Sequence, residues 1–465
     1  MRYKKKLIMK NKKILCCFPL ETRPRDLDPR LYLGLQCLKE GYSCLIGSKS
    51  GVIKEMFDRK MQFIYFEKGL NAVDQDFYRL IKASKGAIVS LDEEGGVYNE
   101  KLYKQELLRR NKENILQFVD LIFTWGEKQK KILFENTTFP ENKIINSGHP
   151  RFDLCKPKFR DFQTALLKNR IDPKIKYILI NSTFTAANTI LTLDEEIKLR
   201  TRARKDETLD VEYERLLYSY RKLLIKYFYE LVLDINNKYP EYTIIFRPHP
   251  GENLKYYEKL FQKMKNIIVT GDGSVQEWIS NSQIVLHHDC TTAIEALLSE
   301  KFIISYCKIR DNDFVQELPI KISHIANEPN QILEVINNLE TSSYDEKQLE
   351  IAFGKIRPII SNVDFESSEV IVKSLKNIFI NEKSETKVIR EIFFKNIIRK
   401  VNLMVKNFII NYSFRRKVKI RNKLKFPDLN KNDIIERVSL LKKIDKDLPE
   451  IKIEQTGKNT YLLSS

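Results

Sequence analysis

Residues 243–305 decide the fold: the stretch begins TIIFRPHPGEN at Thr243 and ends WISNSQIVLHHDCTTAIEALLSEKFIIS at Ser305. A β-branched run predicts a strand that ends in Arg247-Pro248-His249-Pro250, a turn stiffened by two prolines. A second apolar run ends in HHDCTT at residues 287–292, and helical spacing follows it at once. Because the first turn of a helix offers free N–H groups and a positive dipole end, this arrangement favours a bound anion.

The two polar clusters predict a donor site for a nucleotide-linked phosphate. Arg247 and His249 bring positive charge and hydrogen bonds to a departing phosphate, and Pro250 fixes the backbone beside the imidazole. Thr291 and Thr292 are expected to cap the following helix and to bind the same phosphate. The alternatives are a proline-stiffened turn with a solvent-exposed histidine and a plain helix cap.

Two further residues of this stretch complete the predicted donor site. Glu295, one turn into the helix, is expected to accept hydrogen bonds from ribose hydroxyls, with a simple salt bridge as the alternative. His288 lies at the strand end and is assigned to the same site. Paired histidines also suggest a metal, but no further ligand stands at helical spacing, so no metal is predicted.

An acidic strand end in the first half of the chain supplies the predicted base. Asp92-Glu93-Glu94 follows the apolar run 87–91 and precedes Gly95-Gly96, where glycines let a substrate approach the backbone. A sugar transfer needs one carboxylate to take a proton from the acceptor hydroxyl. Mutual repulsion among three acids raises at least one pKa towards neutrality. We favour Glu94 over Glu93, and a solvated acidic turn is the alternative.

Strands alternate with helical patterns along the chain, which predicts an α/β fold with parallel sheets. Residues 99–118 are expected to form one long charged helix. The breakers in GHPRFDLCKP, at residues 148–157, mark a domain boundary. It is interpreted as a hinge in which Arg151 pairs with Asp153, and a segment that reaches into the cleft is the alternative. The predicted domains cover residues 12–160 and 170–380.

Composition restricts the class of protein. The chain has 465 residues, of which 42% are hydrophobic and 31% charged. No apolar run approaches the roughly 20 residues of a membrane-spanning helix, and the basic N-terminus lacks a signal-peptide cleavage site. Seven cysteines without a CxxC motif indicate reduced thiols, so a cytoplasmic protein is expected.

Much of the net charge of +19 is concentrated in one segment. Residues 387–425 contain thirteen Lys or Arg and a single acid, Glu391. An apolar stripe from Phe394 to Phe408 gives this segment an amphipathic helical pattern. Its Phe and Ile content favours an anionic membrane surface over nucleic acid, and no nucleic-acid partner is expected. A packed helix with a basic outer face is the alternative. The segment is assigned to residues 385–428 and a helical tail to residues 429–465.

Together these motifs resemble bacterial surface-carbohydrate biosynthesis proteins of the GT-B glycosyltransferase type. The resemblance extends to capsule Kdo transferases, polysialyltransferases and CDP-glycerol glycerophosphotransferases. It rests on the His249-Pro250 motif, the Thr291-Thr292 helix start, the acidic motif 92–95 and the 148–150 linker. It covers roughly residues 12–380.

The resemblance implies a fold of two Rossmann-like domains facing across a cleft. The charge pattern of the sequence adds a C-terminal helical basic extension to this fold. It also implies a glycosyltransferase that takes a sugar from a CMP- or CDP-linked donor to a glycan or glycolipid acceptor of capsule, O-antigen or lipopolysaccharide. The nucleotide-sugar is a co-substrate, and no other cofactor is expected. The enzyme would work at the inner face of the cytoplasmic membrane. Two alternatives remain: a nonhydrolysing sugar-nucleotide epimerase, and a non-catalytic basic protein that binds lipid or nucleic acid.

Overall fold

The computed structural model describes residues 13–70, 75–95, 99–204, 209–339, 342–393, 395, 416–417, 420, 423 and 425–465. The strands in these ranges are β1 (Leu15–Leu20), β2 (Ser43–Ser48), β3 (Phe63–Glu67), β4 (Gly86–Leu91), β5 (Leu121–Thr124), β6 (Ile144–Asn146), β7 (Tyr177–Asn181), β8 (Thr243–Arg247), β9 (Ile267–Val269), β10 (Ile284–His287), β11 (Phe302–Tyr306), β12 (His324–Ala326), β13 (Lys452–Gly457) and β14 (Thr460–Ser464).

The helices of the same ranges connect and flank these strands. They are α1 (Arg23–Lys39), α2 (Lys49–Asp58), α3 (Gln75–Ala83), α4 (Tyr103–Arg110), α5 (Glu113–Leu116), α6 (Glu127–Asn136), α7 (Pro150–Asp153), α8 (Arg160–Leu167), α9 (Leu193–Arg204), α10 (Val211–Lys238), α11 (Leu254–Phe261), α12 (Val275–Asn281), α13 (Thr292–Leu298), α14 (Glu317–Lys321), α15 (Pro329–Asn337), α16 (Glu346–Ile356), α17 (Ser367–Leu375) and α18 (Lys431–Ile444).

The first sheet has the order β13-β14-β2-β1-β3-β4-β5-β6, with β1 to β6 parallel. Strands β1 to β5 are buried on both faces, so their apolar residues run almost without interruption. Along β1, Cys16 and Phe18 pack into one core and Leu15 and Cys17 into the core on the opposite face. This alternation follows from the two-residue period of a strand.

The second sheet has the order β12-β11-β10-β7-β8-β9, and all its pairs are parallel. Counted from β7, this is the 3-2-1-4-5-6 order of the Rossmann fold, and the strand order reverses between β7 and β10. Helices lie on both faces of each sheet, with apolar cores between them. The α/β fold of two Rossmann-like domains across a cleft is confirmed.

Two segments expected elsewhere pack on the first sheet. The chain returns to it through helix α17, whose Ile371, Val372 and Leu375 join the core that contains Phe18. Residues 367–380 therefore lie with the first domain instead of the second, to which the range 170–380 assigned them. The apolar spacing of residues 367–380 predicts a buried helix face, but it does not indicate which of the two sheets that face covers.

The C-terminal tail is helical only in part. After helix α18, strands β13 and β14 form a hairpin, and β14 adds antiparallel to β2 at the edge of the first sheet. Asn459 in the hairpin turn has a φ of 56°, the left-handed conformation that Asn tolerates. The sequence predicted a helical tail here because β13, with the sequence KIEQTG, is mostly polar and lacks a clear alternation of apolar and polar residues.

The predicted helix 99–118 is two helices, α4 and α5, because the chain turns at Asn111, whose side chain donates to the carbonyl of Leu107 at 2.8 Å. The amphipathic basic stripe of residues 394–408 lies outside the described residues, apart from Lys395. Among the residues that the structure describes, no helix is both long and apolar enough to cross a membrane.

Candidate active site

A cavity of about 350 Å³ lies between the carboxyl ends of the two sheets. Parallel strands end together at this edge, and open α/β sheets bind ligands in the crevice there. The predicted site residues that line it are Glu93, Glu94, Arg247, His249, Pro250, Thr291, Thr292 and Glu295. Asp92 and His288 do not line it. The structure thus brings the acidic strand end of the first domain opposite the predicted donor site.

The imidazole of His249 is held by its own turn. Its Nδ1 accepts from the backbone N–H of Gly251 at 3.0 Å and lies 3.1 Å from the hydroxyl of Thr185. The ring is exposed to the cavity, yet the surrounding protein and then the charge of Arg25 lower its pKa below the usual range. A neutral ring that accepts at Nδ1 carries its proton on Nε2, so His249 offers one N–H donor to a ligand.

Glu252 organises this turn and was missed from the sequence. Its buried carboxylate accepts from the hydroxyl of Ser182, the hydroxyl of Tyr257 and the backbone N–H of Phe184, at 2.6–3.0 Å. Burial raises its pKa to about 7. Glu252 therefore ties the loop after β7 to the turn after β8. The signal lay in the PGEN sequence, where the acid follows the stiff turn directly.

Arg247 serves the backbone more than the cavity. Its guanidinium donates to the carbonyls of Asp272 at 2.6 Å and Gly271 at 3.4 Å, and also to that of Gly273. Burial lowers its pKa to about 10. These bonds orient the loop between β9 and α12 and use most of the donors that the sequence assigned to a phosphate.

Asn181 and Thr292 meet where the strand order of the second sheet reverses. Asn181 ends β7, and its Nδ2 donates to the hydroxyl oxygen of Thr292 at 3.1 Å. Thr292 begins helix α13, and Thr291 stands before it as N-cap without a side-chain capping bond. With its oxygen already accepting, the Thr292 hydroxyl is directed to donate elsewhere. The helix start can therefore present two hydroxyls to an anion.

Glu295 is paired with an arginine of the linker between the domains. Its Oε1 lies 2.6 Å from Nε of Arg151, and Gln276 donates to the carbonyl of Arg151 at 2.8 Å. The other carboxylate oxygen of Glu295, Oε2, is buried without a hydrogen-bond partner in the described part of the chain. Arg151 thus pairs with Glu295 and not with Asp153, which corrects the predicted hinge pair. Asp153 instead accepts from the backbone N–H groups of Ser367 and Ser368.

The structure gives His288 a role in packing instead of the donor contact predicted from the sequence. The ring is fully buried, with Nε2 2.8 Å from the Tyr220 hydroxyl and Nδ1 2.9 Å from the Tyr306 carbonyl. The neighbouring Asp289 forms a bidentate pair with Arg221 at 2.8 Å. His288 and Asp289 thus hold helix α10 at the end of β10, through Tyr220 and Arg221 of that helix.

Each of the three acids after β4 lies beside at least one arginine. Asp92 is buried against Arg110 at 2.6 Å, and burial raises its pKa to about 6. The predicted repulsion among the acids is a smaller cause than burial. Because Asp92 also lies outside the cavity, it is poorly placed to reach an acceptor hydroxyl.

Glu93 and Glu94 both line the cavity, but in different environments. Glu93 is buried, 2.6 Å from Arg30, with His149 Nε2 3.5 Å away. The Glu94 side chain is 63% exposed, and its oxygens lie 3.5 Å from Arg25 and 3.4 Å from Arg110. Burial acts to raise the pKa of Glu94, but Arg25 and Arg110 outweigh it and lower the pKa. Glu94 is thus an ionised, accessible carboxylate.

The cavity has further residues that sequence reasoning missed. At the end of β1 stand Glu21 and Arg25, Lys68 follows β3, and Trp125 follows β5. Glu21 forms an ion pair with Lys68 across the point where the strand order of the first sheet reverses. The sequence carried one signal for them, since each lies at or within a few residues of the end of a predicted parallel strand.

All seven cysteines are buried and free of disulfides. Within the described ranges, no three His, Cys, Asp or Glu side chains are grouped as metal ligands.

No protein-family model and no curated protein sequence matches this chain. Several solved structures are similar to it. UDP-GlcNAc 2-epimerase from Neisseria meningitidis, bound to UDP-GlcNAc, is 14% identical over 79% of this chain and 100% of that chain, with a TM-score of 0.46. The wall teichoic acid polymerase TagF is 11% identical over 82% of this chain and 89% of that chain, with a TM-score of 0.48. UDP-GlcNAc 2-epimerase from Methanocaldococcus jannaschii is 16% identical over 78% of this chain and 99% of that chain, with a TM-score of 0.43. At these identities the similarity concerns the fold alone.

Proposed function

We propose that the chain is a metal-independent glycosyltransferase of surface-polysaccharide biosynthesis (capsule, O-antigen or lipopolysaccharide). The donor is a nucleotide-activated sugar, CMP- or CDP-linked, and the acceptor is a glycan or glycolipid. The observation that carries the proposal is the shared cavity, which Glu93 and Glu94 line from one sheet and His249, Thr291 and Thr292 from the other. A base and an anion site thus face each other across a space in which two substrates can meet.

The proposed transfer uses one acid and several hydrogen-bond donors. Glu94 takes the proton of the acceptor hydroxyl while that oxygen attacks the anomeric carbon of the donor. The bond from this carbon to the phosphate oxygen breaks, and the nucleotide leaves with the bonding electrons. Its negative charge is stabilised by Nε2–H of His249 and by the hydroxyls of Thr291 and Thr292. The nucleotide-sugar is a co-substrate, and no further cofactor takes part.

The basic segment of residues 387–425 is proposed to hold the enzyme at the inner face of the cytoplasmic membrane. Each cation near an anionic surface contributes about 1 kcal/mol. Phe379 and Phe393, 79% and 63% exposed, flank the start of this segment and support an apolar contact with lipid.

Liposome flotation tests the membrane proposal. Truncation before the segment would also remove the hairpin β13–β14 from the first sheet, so substitutions are the better tool. Changing Arg399, Lys400 and Lys406 to Gln should reduce flotation with anionic vesicles. Changing the exposed lysines 255, 259 and 263 is the matched control. Equal flotation of both variants would contradict the membrane role.

A donor screen followed by turnover assays tests the enzymatic proposal. Thermal shifts with CMP, CDP, UDP and GDP identify the base, because a ligand that binds the folded state raises the melting temperature. His249→Ala and Thr292→Ala should then abolish donor hydrolysis or transfer, whereas His324→Ala, at an exposed histidine of β12, should not. Unchanged turnover in the first two variants would disprove the site. If the protein epimerises UDP-N-acetylglucosamine in the absence of an acceptor, the chain is an epimerase and the transferase proposal is wrong.

A further inference from the structure

Two cations of the donor side are already committed within the protein. Arg247 donates to the backbone carbonyls of Asp272 and Gly273, and Arg151 pairs with Glu295 at 2.6 Å. Arg247 cannot turn these donors to a ligand without breaking buried bonds, which is costly. The Arg151 side chain is held through Nε and is only 10% exposed. Additional positive charge for a bound phosphate is therefore expected from the opposite wall of the cavity.

Arg25, in the first turn of helix α1, is fixed at the opposite wall. Its Nε lies 2.7 Å from Oδ1 of Asp26. The second oxygen of Asp26 accepts from the backbone N–H groups of Glu21 and Thr22 at 2.9 and 2.8 Å. The arginine is thus anchored through Nε to the start of the helix, and its outer nitrogens are turned away from this anchor.

The outer nitrogens of Arg25 make only weak contacts. Nη1 lies 3.5 Å from Oε1 of Glu94, and Nη2 makes no hydrogen bond within the described part of the chain. The side chain is 22% exposed and lines the same cavity as His249 and Thr292. A planar guanidinium with an accessible edge can bind a phosphate through two parallel bonds.

Charge relations across the cavity agree with this geometry. After burial, the charge of Arg25 is the largest influence that lowers the pKa of His249, and Lys425 is the next. Arg25 therefore faces His249 closely enough for repulsion between the two when the ring is protonated. An anion between them can accept from Nε2–H of the neutral ring and is attracted by the charge of Arg25.

From this juxtaposition we infer that Arg25 binds the phosphate of the donor from the first domain, while His249 and Thr292 bind it from the second. The inference rests on the proposed function and identifies a residue outside the predicted donor site. A donor held in this way links the two domains. It also draws Arg25 away from Glu94, the proposed base, so donor binding and the state of the base are coupled.

Binding measurements on Arg25 variants test the inference. Isothermal titration with CMP, CDP, UDP, inorganic pyrophosphate and the nucleosides cytidine and uridine compares the wild type with Arg25→Ala and Arg25→Lys. We expect about a 10- to 100-fold loss of affinity for the phosphate-bearing probes in Arg25→Ala, the usual range for a hydrogen bond to a charged group. Arg25→Lys should lose less, and neither substitution should change nucleoside binding.

Arg23 provides the matched control, because it lies on the same helical turn but pairs with Asp433 and does not line the cavity. Arg23→Ala should leave all probes unaffected. Thermal melting confirms folding, and Arg25→Lys remains as a test if Arg25→Ala does not fold.

The outcomes separate the inference from the proposed function. If His249→Ala weakens nucleotide binding but neither Arg25 variant does, the inference is overturned and the proposed function stands. If pyrophosphate binds with dependence on Arg25 while no nucleotide binds, the phosphate site stands and the proposed donor is wrong. If the wild type binds none of the probes, both are overturned.

Discussion

Asn362 exchanges two hydrogen bonds with the main chain of His149. Its Oδ1 accepts from the N–H and its Nδ2 donates to the carbonyl, both at 3.0 Å. His149 belongs to the first linker between the domains and Asn362 to the second, so this contact fastens the two crossings of the chain together. Asn362 also donates to Asp153 at 2.8 Å. The hinge is therefore a hydrogen-bonded unit.

Gly148→Ala should destabilise this unit. Gly148 has a φ of +72°, and a Cβ there would lie 2.1 Å from Oδ1 of Asn362. The amide would have to move and lose its bonds to His149, at about 1–3 kcal/mol, besides roughly 1 kcal/mol for the backbone conformation. Urea unfolding measures the change. Gly41→Ala is the control, because Gly41 has a φ of +83° with open space around it. Equal losses in both variants would contradict the role of Asn362.

The strand ends were predictable because each buried strand is a short apolar run that stops at polar residues. The sequence alone therefore assigns RPHP after β8 and DEE after β4 to one cleft. The parallel sheets place all such ends at the same edge. What could not be predicted is which partner each polar side chain finds. Arg247 turns to three carbonyls, and Arg151 to Glu295, through contacts between residues far apart in sequence.

Residues of α1 were missed for a different reason. The sequence places a helix start near Asp28-Pro29, but α1 begins at Arg23 and contains Pro29 inside. Pro24 fits the second helical position, where a missing N–H costs little, whereas Pro29 lies inside the helix and removes one of its hydrogen bonds. Arg25 therefore stands on a helix at the cavity wall, and not in the loop that the proline pattern suggests.

The stability of the protein should depend on the protonation of Glu252. Burial raises its pKa in the folded state to about 7, from 4.5 in the unfolded chain. Between these values the folded state binds the proton more tightly, so the free energy of unfolding falls as pH rises. The limit is about 1.4 kcal/mol per pH unit. Above pH 7 this contribution is lost.

Glu252→Gln tests this dependence directly. The amide oxygen can still accept from Phe184, and the hydroxyls of Ser182 and Tyr257 can turn to accept from its NH₂ group. We expect the variant to gain stability relative to the wild type between pH 5 and pH 8, measured by urea unfolding at both values. Parallel pH profiles would show that Glu252 stays ionised in the fold.

Substitution of Glu93 and Glu94 should separate structure from catalysis. Glu93→Gln leaves the buried charge of Arg30 without its carboxylate, which typically costs about 3–5 kcal/mol. Glu94→Gln removes only exposed contacts, worth about 0.5 kcal/mol. It should nevertheless lower kcat by about 10²- to 10⁴-fold. Donor affinity should not fall, because Arg25 is released from Glu94 for the phosphate. Melting curves and turnover of both variants give the comparison. A Glu93→Gln protein that melts like the wild type but has lost turnover would move the base to Glu93.

Asn181 and Thr292 should act as a pair in nucleotide binding. Because Asn181 donates to the Thr292 oxygen, its removal frees that hydroxyl to rotate and weakens the bond proposed to the donor phosphate. The losses of affinity in Asn181→Ala and Thr292→Ala should therefore not add, with a coupling of about 0.5–3 kcal/mol in the double variant. The cycle of Asn181 with Thr291, to which no hydrogen bond joins it, should show a smaller coupling. Titration of the four proteins of each cycle with the best nucleotide gives both values. Additive losses in the first cycle would mean that Thr292 is oriented by the start of helix α13 alone.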